Sequence, residues 1–124
     1  MAENTNTEAV VRDVLGMTYD GFGFQRHTDL IEKIVAVLED ETKAVKDDYK
    51  DPKDASPAAE EIRGMLWSRF SGGGASAGAT TELFLTLGRR DELGWVRDEA
   101  HYPDYMVEEL PERLRQAREA KQNA

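Results

Sequence analysis

Gly72-Gly73-Gly74-Ala75-Ser76-Ala77-Gly78-Ala79-Thr80-Thr81 divides this chain, setting four glycines and a run of small residues between two apolar stretches that suit helices. Glycine in a helix interior is disfavoured by roughly 1 kcal/mol against alanine, so four of them in ten residues read as an interruption. The interruption is either a hinge or a loop that presents backbone amides. As an anion cradle it would hold a phosphate ahead of a helix starting at Thr80 or Thr81. The context for known phosphate motifs is missing, because a helix rather than a strand precedes the run and no Gly-Lys-Ser or Gly-Lys-Thr ending follows. The linker reading is preferred.

Upstream, Ser56 followed by Pro57 marks a helix start, since proline suits the first helical position and serine caps free amides. This helix runs to about Phe70. Ala59, Ile62, Met65, Leu66 and Phe70 form its buried face, with Trp67 at the edge. Downstream, Leu83, Leu85 and Leu87 alternate like a strand, whereas Leu83, Phe84 and Leu87 match a helix face. Helix is preferred over 81–87, because no partner strand is evident elsewhere.

Further out, Asp29 and Glu32 make a capping-box-like start at Thr28 or Asp29, before Leu30, Ile31, Ile34, Val35, Val37 and Leu38. The apolar arc is wide, which points to a central helix touched from at least two sides. From Glu39 to Asp54 the chain is dominated by Asp, Glu and Lys and reads as solvated. Near the start, Ala9, Val10, Val11, Val14 and Leu15 fall on one helical face, capped by Thr5 or Thr7 and ended by Gly16. Tyr19-Asp20-Gly21-Phe22-Gly23-Phe24 then forms an aromatic turn, read as a loop rather than a hairpin. Residues 89–96 suit a short helical turn, Tyr102-Pro103-Asp104-Tyr105 makes a corner, and a last helix with Leu114 and Ala117 starts at Pro111. Its acids precede its bases, as the helix dipole favours. The expected fold is mostly α: a single-domain bundle of four to five helices over residues 8–118, with an irregular aromatic/Gly turn, a Gly-rich interhelical loop, and flexible ends at 1–7 and 119–124.

A chain of 124 residues with 40% hydrophobic and 33% charged residues has room for one modest core. Its formal charge of -9 opposes direct contact with nucleic acid, which rewards a concentrated basic face. Without cysteine, disulfides, thiolate nucleophiles and zinc-thiolate sites are excluded. No secretory leader pattern occurs, and no apolar run approaches the roughly 20 residues that span a bilayer. These features suggest a soluble, cytoplasmic protein without membrane contact.

Catalytic patterns are sparse. Ser68, Ser71 and Ser76 lack an elbow motif, and the pairs Glu60-Glu61 and Glu108-Glu109 point in different directions on their helices. His27 and His101 can be drawn with Asp29, Asp98, Glu99 and Asp104 as a metal site, but neither His-x-x-x-His nor His-Glu-x-x-His occurs. Asp47, Asp48, Asp51 and Asp54 lack the glycine and glutamate offsets of a calcium loop. No enzyme activity, metal or cofactor is expected. The expected role is a non-catalytic protein-protein interaction module, such as an assembly factor, an adaptor or a viral accessory protein, with another protein or a second copy as partner. Its anchors would be Tyr19, Phe22, Phe24, Arg26, Trp67 and Trp95, although the two phenylalanines also suit a lid tucked over the core. An alternative is an acidic inhibitor that mimics nucleic acid, with Glu39, Asp40, Glu41, Asp47, Asp48 and Asp51 filling a partner's basic groove. A ligand- or phosphate-binding enzyme built on the Gly72–Thr81 loop is the least favoured reading.

Overall fold

Apolar residues at three- and four-residue spacing carry the fold. The computed structural model describes residues 2–19, 23–44, 55–70, 73–94 and 104–123. Among these, five α-helices are formed: α1 (Ala2–Tyr19), α2 (Thr28–Glu39), α3 (Pro57–Phe70), α4 (Gly73–Thr86) and α5 (Asp104–Asn123). Single 3-10 turns stand at Phe24–Arg26, Glu41–Lys43 and Arg90–Glu92, and no strand occurs among the described residues. The short turn expected after Arg89 is the last of these. The all-α bundle expected from the periodicity is what the chain builds.

Val11, Val14 and Leu15 of α1 meet Leu30, Ile31 and Ile34 of α2, Ala59, Ile62 and Leu66 of α3, and Leu83, Phe84 and Leu85 of α4 in one core, joined by Leu110 and Leu114 of α5. α2 does pack against two neighbours, α1 and α3. The more central element is α4, which packs against α1, α3 and α5.

That position explains the largest departure from expectation. The glycine and small-residue run is no loop, since residues 73–86 are helical. Ser76, Ala79, Thr80 and Thr81 are all buried. Short side chains let neighbouring helices come close to the α4 backbone, and this packing outweighs the weak local helix propensity. The Thr80 and Thr81 hydroxyls, buried among these contacts, are satisfied by donating to the carbonyls of Ser76 (2.7 Å) and Ala77 (2.8 Å). The 81–87 stretch is correspondingly helical to Thr86.

The end of α4 is closed by Gly88, whose φ of 72° is left-handed. Its N–H donates to Leu85 O (3.0 Å) and the next N–H, of Arg89, donates to Phe84 O (2.8 Å), the pair of bonds that defines a Schellman cap. The Arg89 guanidinium lies 5.2 Å from the centre of the Phe84 ring, closing the cap with a cation-π contact. A Cβ at position 88 meets no neighbour, so Gly88→Ala isolates the backbone cost of the left-handed conformation. We expect a loss of about 1–2 kcal/mol in urea unfolding.

Other boundaries shift for physical reasons. The Ser56 cap is present: its Oγ accepts from Ala59 N–H at 3.1 Å, and its own N–H donates to Glu92 O at 2.9 Å. The Asp29 capping box is not formed. His27 occupies the N-cap of α2 without a side-chain cap bond, and Asp29 turns instead to Arg69 of α3. Gly16 does not end α1; it is buried within a helix that continues to Tyr19 and begins at Ala2, ahead of the expected Thr5 or Thr7 cap. Pro111 lies inside α5 rather than at its start, and this helix runs to Asn123.

Candidate functional site

The aromatic turn closes the core rather than facing outward. Gly23, with φ 71°, admits the sharp entry to the Phe24–Arg26 turn. Phe24 is fully buried and Tyr19 nearly so. Tyr19 stacks on Phe70 of α3 (centroids 4.3 Å apart, planes 12° apart), Phe24 tilts against the same ring at 6.4 Å, and His27 meets it edge-on at 5.1 Å. Four rings from the end of α1, the turn, the start of α2 and the end of α3 thus seal one end of the bundle. Burial raises the Tyr19 hydroxyl above its ordinary pKa. Tyr19 and Phe24 are therefore core residues and not surface anchors, because the large apolar area of each ring is already spent on Phe70 and its neighbours. Arg26 is exposed. Phe22 and Trp95 lie outside the described residues.

The acidic stretch is described only at its beginning. Glu39 and Glu41 are exposed, whereas Asp40 caps the following 3-10 turn by accepting from Thr42 N–H (3.0 Å) and Thr42 Oγ1–H (2.6 Å). Those bonds hold its carboxyl below the ordinary value. Asp47, Asp48 and Asp51 lie outside the described residues.

Trp67 is different. It stands 60% exposed on α3, whose neighbouring Leu66 is completely buried. A groove runs along each side of α3. The one toward α4, about 440 Å³, is lined by Glu60, Arg63, Gly64, Trp67, Ser76 and Ala77. The one toward α2, about 450 Å³, is lined by Leu30, Lys33, Gly64, Met65, Ser68 and Arg69. Both include Gly64, so the two grooves share a wall residue on α3 one turn before Trp67. A Cβ at Gly64 would meet nothing within 4 Å, and its φ is outside the left-handed region. Neither close packing nor backbone geometry therefore requires glycine there, although it weakens the helix. Its physical consequence is a notch beside a protruding indole.

The rim is charged. Arg69 donates to both Asp29 oxygens (2.8 and 3.3 Å) and lies 3.0 Å from His27 Nδ1, tying α3 to the start of α2. The Arg69 hydrogen bond leads the causes that hold the Asp29 carboxyl down at about 2. A depressed carboxylate pKa means that this stabilising contribution is present above the unfolded value near 3.8 and is lost as pH falls through about 2. NMR titration should give an Asp29 midpoint near 2 that rises toward the ordinary value in Arg69→Gln. Lys43 Nζ binds Glu61 at 2.8 Å farther along the same side of α3, and Glu61 raises the lysine pKa.

Of the anchors expected from sequence, the described surface thus places Trp67 on the wall of the groove toward α4, leaves Arg26 on the exposed turn, and turns Tyr19 and Phe24 inward. Gly64 and Lys33 were not anticipated. Their one sequence signal is a lone glycine in the middle of a strongly marked helix, three residues before a tryptophan. No helix starts at Thr80 or Thr81, where a phosphate cradle was considered, because α4 already begins at Gly73. Among the described residues no three His, Asp or Glu side chains converge as metal ligands, and no helix is long and apolar enough to cross a membrane. His101 lies outside them. The chain matches no protein-family model, no curated protein and no solved structure.

Proposed function

We propose that the protein is a non-catalytic interaction module that docks another protein on the outer face of α3. The observation that supports this is the 60% exposure of Trp67 on the wall of the groove toward α4. Covering such an indole removes on the order of 100 Å² of largely apolar surface from water, about 2.5 kcal/mol at ~25 cal/mol per Å². Tryptophan is the residue type most often found at the energetic centre of protein interfaces. Roles consistent with this mode of action are an assembly factor, an adaptor or a viral accessory protein.

The reading separates binding from stability. Trp67→Ala should change unfolding free energy by no more than about 0.5 kcal/mol, as expected for a surface position. The same variant should lose the partner that co-purifies with the wild-type chain from its native cell. Retention of that partner by a folded Trp67→Ala variant contradicts the proposal. Gly64→Ala supplies the converse, since it should raise stability by roughly 1 kcal/mol through helix propensity alone. Thermal and urea unfolding measure both.

A further inference from the structure

We infer that the protein docked on this face is a second copy of the chain, the two α3 helices crossing antiparallel so that each Trp67 seats in the other's Gly64 notch. The inference rests on the interaction reading above and names its partner. For a tagged chain, the co-purifying protein is then an untagged copy of itself.

The face is complementary to itself. Gly64 and Trp67 are both exposed and stand three residues apart, which puts them on one side of α3. One is a hole, since a Cβ there meets nothing within 4 Å, and the other is a knob, 60% exposed. A two-fold axis that passes between them makes the contact twice, the knob of each copy meeting the hole of the other. A partner of unrelated sequence must supply a knob and a hole at the same spacing, whereas a second copy already has them.

The polar groups agree with this arrangement. An indole covered by an interface needs an acceptor for its N–H. Glu60 lies one turn before Gly64 and lines the same groove, and its contact with Arg63 is a loose 4.0 Å. Its carboxylate is the acceptor for the indole that enters over the notch. Along α3, the acid Glu60 stands in the first turn and the base Arg69 in the last. Antiparallel crossing sets the acidic start of each helix beside the basic end of the other, and parallel crossing would set like ends together.

The size of the face fixes the strength. With 14 residues α3 is ~21 Å long, and a strip of it ~10 Å wide offers less than the ~800 Å² per partner of a stable interface. The formal charge of -9 on each copy also opposes pairing. The dimer is therefore reversible and depends on concentration.

Sedimentation equilibrium of the full chain at ~10–500 µM tests this, in ~0.15 M salt that screens charges beyond ~8 Å. The wild-type chain should move from 13.9 kDa toward twice that mass as concentration rises. Trp67→Ala, which lacks the knob, and Gly64→Leu, which fills the hole, should each remain monomeric and keep the circular dichroism spectrum of the folded chain. The Trp67→Ala chain still has its hole and the Gly64→Leu chain its knob, so their equimolar mixture regains one intact contact. It should form a heterodimer roughly tenfold tighter than either variant forms with itself, with a shift of the Gly64 amide signal of the Trp67→Ala chain in NMR. A monomeric wild type across the range, dimerisation of Trp67→Ala at wild-type strength, or a mixture as monomeric as its components would each overturn the inference. If the wild type stays monomeric while Trp67→Ala still loses the native partner, only the self-pairing falls. If that partner is retained, the interaction reading falls with it.

Discussion

Phe84→Ala is expected to lower the unfolding free energy by about 3–5 kcal/mol, the cost of removing a buried aromatic ring and leaving a cavity. The ring is fully buried in α4, the helix that packs against α1, α3 and α5. Because three helices converge there, no single neighbour can collapse into the space without leaving another contact. The variant also removes the surface beneath the Arg89 guanidinium, 5.2 Å away, and so weakens the cap that ends α4. For a domain of this size, whose total stability falls within about 5–15 kcal/mol, the change is a large fraction of the whole. Urea unfolding monitored by circular dichroism should show a lower midpoint with an unchanged slope. A loss below about 1 kcal/mol would mean that α4 is not the central element.

The next largest effect is expected at Glu92. This side chain is buried, pairs with Arg89 Nε, and accepts a second bond from Arg89 Nη2 at 2.9 Å. Arg89 Nη1 donates to Leu38 O at 2.8 Å near the end of α2, while Glu92 O accepts from Ser56 N–H at the start of α3. One ion pair therefore joins the end of α2, the start of α3 and the segment after α4. Glu92→Gln leaves the partly buried guanidinium without its counter-charge, and a loss of about 2–4 kcal/mol follows, toward the lower end because Arg89 retains Leu38 O and some solvent. Replacing both partners with apolar residues, as in Arg89→Met/Glu92→Leu, should recover a substantial part of that loss. A double-mutant cycle in urea measures the difference. Equal losses in the single and double variants would show that the carboxylate does not compensate the arginine.

The helices that sequence marked most clearly are those whose local signals and burial agree. α2 follows its Leu30, Ile31, Ile34 and Leu38 periodicity, and α3 begins at the Ser56-Pro57 signal and buries Ile62 and Leu66 as expected. α4 was hidden because its glycines and small residues carry a local preference against helix, while the compensating contacts are with α1 and α3, outside the segment itself. Asp29 misled for a related reason: a carboxylate near a helix start resembles a cap until a guanidinium forty residues away claims it. The site divided along the same line. Trp67 was recognisable as a ring at the edge of an apolar face, and its exposure follows from that position. Tyr19 and Phe24 gave the same local signal and went inward, because Phe70 from another helix supplies the stacking surface. The notch at Gly64 depends on the grooves toward α2 and α4 and has no pattern of its own in the sequence.

The most direct measurement is site-specific photo-cross-linking in the native cell, with a benzophenone amino acid placed at Trp67 and, as a control, at the exposed Gln116 of α5. Docking on the outer face of α3 predicts a discrete adduct of one defined mass from position 67 and none from position 116. No adduct at 67, or the same adduct from both positions, would contradict it.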